Sequence, residues 1–403
     1  MPLMSGRHPS RLGSVELLDT VTQRAALFVT TVASTLEAFL LPLAGALRSA
    51  GWRVDALARG AEGRAALQSR FDQLFDAPWS RRLANPGNFI GAPGRVRELV
   101  EAGGYHVVHV HTPIAGSVSR YALRHISGPS TPCVIYTVHG FHFFEGGSFI
   151  GNTVFRRAER TAARWTDYLV TMNREDFEAA RSFGTIPQDR IRLVPGVGVD
   201  PATYRPNERE GSTVRTELGI ESGAFVVTMI AEMNANKRHA LVLDAFSRMR
   251  QSRASSLIIV GEGPLLDALK ARAASLNVHQ RVHFVGHRSD VPAILAGTDV
   301  LTLVSRREGM PRTVLEAMST GVPVVGTRTR GIIDAVDDTA GWLVDGPNPD
   351  ALAAALDFVA EHPDRAHERG ATGRELVLAR YSEATIVDAY LDLYREAIAQ
   401  SHG

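Results

Sequence analysis

Short, continuous apolar runs alternate with amphipathic stretches along most of the chain. In the first half, the runs predict β-strands at residues 27–32, 52–58, 105–111, 133–139, 168–172 and 191–194. A turn is expected at residues 33–35, and the amphipathic stretches predict helices at residues 36–50, 116–125, 152–164 and 174–183. Strands that are apolar throughout and alternate with helices are typical of a parallel sheet covered on both faces. This half is therefore predicted to be a Rossmann-like lobe.

The same pattern begins again after a segment rich in glycine and proline at residues 195–201. Further strands are predicted at residues 225–231, 256–260, 282–285, 300–304 and 322–326. We predict an α/β protein with two doubly wound parallel-sheet domains, residues 24–195 and 196–380, that face each other across a cleft. Residues 1–23 are predicted to be a flexible leader, and residues 381–403 a helix that can return to the first domain. Ligands of such sheets bind beyond the carboxyl ends of the strands, so the site is expected in the cleft.

The stretch at residues 25–47 is the one place where a membrane span or a signal peptide has to be weighed. Glu37 lies at its centre and Pro42 interrupts it, and a charged group costs roughly 2.5–3.5 kcal/mol at the centre of a bilayer. We interpret the stretch as a strand, a turn and an amphipathic helix. The protein is accordingly predicted to be cytoplasmic, with peripheral attachment to the inner face of the plasma membrane left open.

Composition and charge narrow the class of protein. The 403 residues are enough for two cores, and the single cysteine, Cys133, lies in an apolar run, which predicts a reducing compartment and a structural rather than nucleophilic role. Residues 1–192 contain 22 arginines and 16 acidic residues, whereas the remainder contains 22 basic and 27 acidic residues. A basic first half suits an anionic membrane surface or a phosphorylated acceptor, with scattered solvated arginines as the simpler alternative. No dense basic run with interleaved aromatic residues occurs, so no nucleic-acid partner is expected.

The clearest candidate chemistry follows the strand at residues 300–304, in the sequence SRREGMPRTVLEAM. Glu308 precedes a helix predicted from residue 312, and Glu316 lies inside that helix. Gly309 permits close approach of the backbone, Pro311 suits a first helical turn, and the N–H groups at a helix start can bind a diphosphate. The two carboxylates can accept hydrogen bonds from sugar hydroxyls, although two ordinary surface glutamates would show the same spacing.

Three histidines lie at or near the ends of predicted strands. His139 is followed by Gly140 and would face the floor of the cleft. His109 and His111 share one face of their strand, which leaves a metal pair conceivable, but no convincing third ligand is found. The chain contains no Asp-x-Asp motif either, so we predict neither a metal nor another cofactor.

Several segments of the chain resemble one enzyme family. EGMPRTVLEAMSTGVPVVGT, at residues 308–327, closely resembles the E-x7-E segment of family 4 retaining glycosyltransferases, which have the GT-B fold. Other segments resemble the same family in the same order: HVVHVHTP (106–113), YTVHGFHFFEG (136–146), VPGVGVD (194–200), AEMNANK (231–237), VGEGPL (260–265) and FVGHRSDV (284–291). The resemblance covers residues 26–345 and points to the subgroup that builds capsular or exopolysaccharide repeat units.

The resemblance implies a role for each matching residue. Glu308 would hold hydroxyls of the transferred sugar, His139 would contact that sugar, and Lys237 would neutralise the leaving diphosphate. The donor would also be bound by Glu316, Gly309, Met310, Pro311, Arg312, Glu232, Arg238, Gly286, His287 and Arg288. The acceptor side of the cleft would include Ser34, Thr35, His111, Phe141 and His142. Glu232 departs from the family, where an arginine is common, and the charges that would replace it are those of Arg238, Arg306 or Arg307.

The implied reaction moves a sugar from a nucleotide-diphosphate donor, with uracil as the expected base and thymine or guanine as alternatives. The implied acceptor is a lipid-diphosphate-linked saccharide at the cytoplasmic membrane face, and the anomeric configuration is retained. A nucleotide-sugar epimerase or hydrolase on the same fold, and a catalytically silent binding protein, are the rival functions.

Overall fold

Two parallel β-sheets form the core of the protein. The computed structural model describes residues 23–80, 85–128, 131–250 and 254–401. The strands of the first sheet are β1 (Ala25–Val32), β2 (Arg53–Arg59), β3 (Leu74–Asp76), β4 (Val107–His111), β5 (Cys133–Val138), β6 (Tyr168–Thr171) and β7 (Ile191–Leu193). Those of the second sheet are β8 (Phe225–Ile230), β9 (Ser255–Val260), β10 (Val282–Gly286), β11 (Val300–Leu303), β12 (Val324–Thr327) and β13 (Gly341–Val344).

Both sheets are doubly wound. The strand order is β3-β2-β1-β4-β5-β6-β7 in the first sheet and β10-β9-β8-β11-β12-β13 in the second. All the neighbouring pairs are parallel, and the order reverses direction at β1 and at β8. Such a switch point opens a crevice at the carboxyl ends of the strands. The predicted α/β class with two doubly wound parallel sheets is confirmed.

Helices cover both faces of each sheet. We call the first sheet with α1–α8 the first lobe, and the second sheet with α9–α16 the second lobe. The first-lobe helices are α1 (Ala33–Phe39), α2 (Leu41–Ser49), α3 (Ala65–Gln68), α4 (Gly87–Ile90), α5 (Ala92–Gly103), α6 (Pro113–Leu123), α7 (Phe149–Ala162) and α8 (Arg174–Arg181). The second-lobe helices are α9 (Glu208–Glu217), α10 (His239–Arg248), α11 (Leu266–Ser275), α12 (Val291–Ala296), α13 (Arg312–Ser319), α14 (Ile332–Ala335), α15 (Pro349–Glu361) and α16 (Pro363–Leu376).

The last helix, α17 (Glu383–Ser401), lies on the first lobe. It contacts α2, β4 and β5, and its apolar residues join the core of the first sheet, among them Ile386, Tyr390 and Tyr394. The end of the chain therefore packs against the face of the sheet that carries α1 and α2. Residues 1–22 of the predicted leader lie outside the described residues.

Some local predictions are wrong. α1 begins directly after β1, so the predicted turn at residues 33–35 is absent, and the single helix predicted at 36–50 is divided before Pro42. Proline lacks an amide hydrogen and therefore starts a helix better than it continues one. The short strands β3 and β13 lie at sheet edges and have no continuous buried run, so the apolar pattern does not mark them.

Candidate active site

A cavity of about 580 Å³ lies between the two lobes. The first lobe contributes α1 and the residues that follow β5 and β6. The second lobe contributes the segments that follow β8, β10 and β11, together with the start of α13. The cavity therefore lies where the carboxyl ends of the strands of both sheets face each other, the position expected for a ligand.

Lys237 and Glu308 form an ion pair in the second-lobe wall of this cavity. Nζ of Lys237 lies 2.6 Å from Oε1 of Glu308, and the two side chains are 22% and 12% exposed. Asn234 folds the loop after β8, because its Oδ1 accepts hydrogen bonds from the N–H groups of Asn236 (3.0 Å) and Lys237 (3.3 Å). Asn236 then donates from its side chain to the carbonyl of Arg307 (3.1 Å). Two loops that are bonded to each other thus hold the ion pair.

Glu316 lies inside α13, next to Arg312. Its carboxylate is 2.9 Å from Nε of Arg312, and only 5% of the residue is exposed. Burial raises the pKa of Glu316, while Arg312 and Tyr204 oppose part of that rise. α13 begins at Arg312, so Pro311 is the cap residue rather than the predicted first-turn residue, and no side chain among the described residues caps this start. The first N–H groups of α13 therefore border the cavity at the positive end of the helix dipole.

Gly309 brings the loop of Glu308 against the first lobe. A Cβ atom at this position would lie 2.2 Å from the carbonyl oxygen of His139, a distance that real Cβ atoms do not show. Asn173 supports the approach by donating from Nδ2 to the carbonyl of Gly309 over 3.0 Å. The structure thus requires glycine here for the contact between the lobes, whereas the sequence assigned it to the approach of a diphosphate.

His139 presents a neutral imidazole from the first-lobe wall. Its ring is half-buried, and its Nε2 lies 3.2 Å from Nδ1 of His111, so one of the two rings donates to the other. Burial lowers the pKa of His139 to about 4. Burial also lowers the pKa of His111, with a further contribution from His109 and His139. Both rings are therefore uncharged at neutral pH.

The C-terminal helix holds a second layer beneath this histidine pair. His109 is fully buried, with Nδ1 2.9 Å from the hydroxyl of Tyr394 and Nε2 2.8 Å from the hydroxyl of Thr137. The hydroxyl of Tyr390 lies 3.3 Å from that of Thr137, and the rings of His109 and His111 are 4.1 Å apart. α17 therefore fixes the layer on which the cavity-facing histidine rests.

Arg330 is a residue of the site that the sequence did not reveal. It is 4% exposed and donates to Oδ1 of Asp176 (2.6 Å), to the carbonyl of Phe143 (3.0 Å) and to the carbonyl of Glu308 (3.2 Å). It therefore joins two first-lobe segments to the loop that carries Glu308. No sequence signal distinguishes it from Arg328, two positions earlier, which is exposed.

The structure brings ten of the predicted site residues to the cavity wall: His139, Lys237, Glu232, Arg288, Glu308, Gly309, Met310, Pro311, Arg312 and Glu316. The other eight do not border this cavity: Ser34, Thr35, His111, Phe141, His142, Arg238, Gly286 and His287. Ser34 and Thr35 lie in α1 instead of a turn, and Phe141 is buried in a stack with Phe143. The wall also contains residues that were not predicted, among them Ala38, Phe39, Met172, Val197 and Tyr204.

Glu232 is the residue that departs from the expected family pattern. It is exposed and borders the cavity, so its side chain can reach a bound ligand. None of the three arginines predicted to replace the missing charge borders the cavity. Arg307 instead lies over the ring of Phe144, with 5.5 Å between its guanidinium carbon and the ring centroid. The cavity's arginines are Arg288, paired with Asp290, and Arg312, paired with Glu316.

No group of three or more metal-ligating side chains is found in the described parts of the chain. Across those same residues, none of the helices has the length and apolar character needed to cross a membrane.

Comparisons with known proteins agree with this geometry. A family model described as "Glycosyl transferase 4-like domain" matches residues 34–196, and one described as "Glycosyl transferases group 1" matches residues 212–376. A crystal structure of Anabaena Alr3699/HepE in complex with UDP and glucose superposes with a TM-score of 0.78 over 93% of this chain and all of that one, at 19% identity. The fold and the cavity thus define a two-lobed glycosyltransferase of the GT-B type.

Sequence relatives narrow this class to a family. EpsD of Bacillus subtilis (strain 168), a protein named as a glycosyltransferase, is 29% identical over 374 residues, which cover 91% of this chain and 95% of EpsD. The UDP-Gal:α-D-GlcNAc-diphosphoundecaprenol α-1,3-galactosyltransferase of Escherichia coli is 31% identical over 64% of this chain and 67% of that enzyme. The chain therefore belongs to the family 4 glycosyltransferases, as its motifs indicate.

Proposed function

We propose that this glycosyltransferase moves a sugar from a UDP-sugar to a lipid-diphosphate-linked saccharide in the synthesis of a cell-surface polysaccharide. The observation that carries the proposal is that Lys237, Glu308, Glu316 and the start of α13 line the same cavity as the neutral imidazole of His139. The names of the Escherichia coli relative and of the Anabaena structure support a uridine donor, and the former supports a lipid-diphosphate acceptor.

The donor diphosphate would bind between Lys237 and the first N–H groups of α13. In the structure the ammonium group of Lys237 is paired with Glu308. A bound phosphate would replace Glu308 as the partner of this ammonium group, and the carboxylate could then accept hydrogen bonds from sugar hydroxyls. Glu316 lies about one turn further along α13 and is buried, so its carboxylate would accept hydrogen bonds from ribose away from water. His139 would meet the sugar from the opposite wall without adding a charge.

In the reaction, the bond between the anomeric carbon and the β-phosphate oxygen breaks as the acceptor hydroxyl oxygen bonds to that carbon. The acceptor proton passes to the leaving phosphate oxygen, so atoms and charge balance without a protein nucleophile. Lys237 and the α13 amides stabilise the charge that grows on this phosphate, an effect that is commonly worth several kcal/mol. Departure and attack on the same face of the sugar retain the anomeric configuration. No metal enters this scheme, so we expect EDTA to leave the rate unchanged.

The experiment pairs a panel of UDP-, TDP- and GDP-sugars with a membrane-lipid extract and measures release of the nucleotide diphosphate. We expect release only with a uridine donor and only when the lipid fraction is present, and proton NMR of the product should show the anomeric configuration of the donor. Glu308→Gln should lower the rate at least tenfold, about 1.4 kcal/mol of transition-state stabilisation. Glu221→Gln, an exposed carboxylate outside the cavity wall, is the matched control and should be neutral.

Three results would contradict the proposal. Equal release with and without the lipid fraction would identify a nucleotide-sugar hydrolase. An isomerised donor without released nucleotide would identify an epimerase. Binding of donors with no turnover in any combination would identify a binding protein.

A further inference from the structure

Five large apolar side chains are exposed on two helices of the first lobe. On α7, Phe149 is 85% exposed, Ile150 77% and Val154 58%; on α4, Ile90 is 81% exposed and Phe89 45%. We call these five residues the apolar rim. Soluble proteins expose single apolar residues routinely, but a cluster of this kind marks an interaction surface.

The apolar rim lies beside the mouth of the cleft. α7 starts directly after the segment that follows β5, and Asn152 ties this start to Phe144 by donating to its carbonyl over 2.9 Å. The ring of Phe144 in turn lies under Arg307 of the second-lobe loop that carries Glu308. The start of α7 is therefore linked through Phe144 to Arg307, which directly precedes Glu308 of the cavity wall.

α4 is fixed at the same side of the lobe. Trp79 donates from its indole to the carbonyl of Thr31 at the end of β1 (3.0 Å), and Ser80 donates from its backbone to Oδ1 of Asn88 in α4 (2.8 Å). α4 and α7 both contact α6, which lies between them. Both parts of the rim therefore belong to helices packed against α6, which starts just after the carboxyl end of β4.

The remainder of α7 continues this face with positive charge. Arg157 follows Ile150 and Val154 at helical spacing, Arg160 is also exposed, and Arg164 is exposed just beyond the end of the helix. No carboxylate of the described residues lies within ion-pair distance of these three arginines. The acidic residue of α7, Glu159, points inward and pairs with the buried Arg120 over 2.8 Å. An exposed apolar end and an unneutralised basic stretch on one helix fit the boundary of an anionic bilayer.

We propose that the apolar rim and the arginines of α7 dock the enzyme on an anionic lipid bilayer, with the cleft mouth at the membrane surface. The proposal rests on the proposed function, because a lipid-linked acceptor would then meet the cavity without leaving the bilayer. Apolar side chains can enter a lipid interface while exposed arginines of the same helix stay at the anionic headgroups, and this is the combination that α7 presents.

The test measures co-sedimentation of the full-length protein with phosphatidylcholine vesicles and with vesicles that also contain phosphatidylglycerol. We expect binding to the anionic vesicles that high salt weakens. The variant Phe149→Ser/Ile150→Ser should bind at least about tenfold more weakly. Arg157→Gln/Arg160→Gln should lose the preference for the anionic lipid. Leu378→Ser is the matched control, since it removes an apolar residue that is 47% exposed on the second lobe, and it should bind like the wild type.

Transfer assays separate folding defects from docking defects. The rim variants should keep the wild-type rate on a short, water-soluble diphosphate acceptor and lose rate only on acceptor embedded in vesicles. Wild-type protein that ignores anionic vesicles, or rim variants that bind them normally, would overturn the proposal, and so would rim variants that lose only self-association or capture of a protein. Vesicle binding that depends on the rim, in a protein that transfers to no lipid acceptor, would support docking while refuting the proposed function.

Discussion

The two walls of the cavity differ in charge: the second-lobe wall carries ionised side chains, whereas the first-lobe wall presents a neutral imidazole. The second-lobe wall carries charged side chains in close pairs, Lys237 with Glu308 at 2.6 Å and Arg312 with Glu316 at 2.9 Å. The first-lobe wall presents His139, whose pKa burial lowers to about 4, so it is neutral at physiological pH. One wall can exchange its internal ion pairs for an anionic ligand. The other can donate or accept a hydrogen bond without attracting or repelling that ligand.

The walls also differ in what holds them. Lys237 and Glu308 are fixed by loops of their own lobe, through Asn234 and Asn236. His139 rests on His111, and the layer below is hydrogen-bonded to the tyrosines of α17, more than 250 residues further along the chain. The charged wall is therefore a local structure, whereas the neutral wall depends on the return of the C-terminal helix. Changes to the charged wall should affect chemistry directly, and changes to the neutral wall should act through position and protonation.

Removal of the ammonium group from the charged wall should have the largest effect. The chain contains two lysines, Lys237 in the cavity and Lys270 on the exposed side of α11. We expect Lys237→Ala to lower kcat about 100-fold, because the growing phosphate charge loses its counter-ion. Steady-state nucleotide release measures this change. Lys270→Ala is the matched control, and equal losses in the two variants would show that Lys237 has no special role.

Contact between the walls can be tested at Gly309. Gly309→Ala would place a methyl group 2.2 Å from the carbonyl oxygen of His139, so the lobes must separate. We expect more than a tenfold loss of kcat/KM and a loss of about 1–3 kcal/mol in unfolding free energy. Gly94→Ala, where nothing lies within 4 Å of the new Cβ atom, should lower neither quantity. Normal activity in Gly309→Ala would mean that the observed approach of the lobes is not needed for catalysis.

The sequence predicted the charged wall better than the neutral one, for a physical reason. Glu308, Gly309 and Glu316 lie within nine consecutive residues, and the strand and helix that place them are visible as apolar and helical patterns. The strands of both sheets were found in the same way, because a strand buried on two faces is apolar along its whole length. Edge strands such as β3 lack that signal.

Contacts between distant segments were not predictable. Arg330 and Asp176 are separated by 154 positions, and the hydrophobic pattern around each of them does not predict that its side chain is buried. Arg288 and Arg312 border the cavity, while Arg238 does not, although all three follow strands or precede helices. Which arginine faces the cavity depends on how the lobes meet, and local propensity contains no information on that.

The position of His139 should depend on His111. Since Nδ1 of His111 lies 3.2 Å from Nε2 of His139, His111→Leu removes a partner that fixes the orientation of the cavity-facing ring. We expect kcat to fall about tenfold with little change in KM for the donor. His111→Asn, whose side-chain amide can occupy the place of Nδ1, should recover much of the rate. Failure of Asn to exceed Leu would argue for a packing role alone.

The neutral wall should make the fold sensitive to acid. Burial, with a smaller contribution from His139, lowers the pKa of His109 to about 3, and the pKa of His111 is also lowered, whereas both imidazoles titrate near 6.5 when unfolded. Below that pH the unfolded chain binds protons that the folded protein does not, so stability is lost as the pH falls. We expect the unfolding free energy to drop by about 1.4 kcal/mol per pH unit for each imidazole. Urea unfolding between pH 7 and 5 measures the slope, which should be shallower in His109→Gln.

The smallest effect is expected from substitution of Glu232, the residue of the charged wall that departs from the expected family pattern. Glu232 is exposed at the cavity wall, at the position where the resemblance of the motifs leads us to expect arginine. Glu232→Arg would add a second cation near the donor diphosphate, so KM for the donor should fall about threefold while kcat changes little. Glu232→Gln removes the negative charge without adding a positive one and should give an intermediate KM. If KM rises in both variants, Glu232 itself binds the donor, and the charged wall then recognises sugar or ribose at this position rather than phosphate.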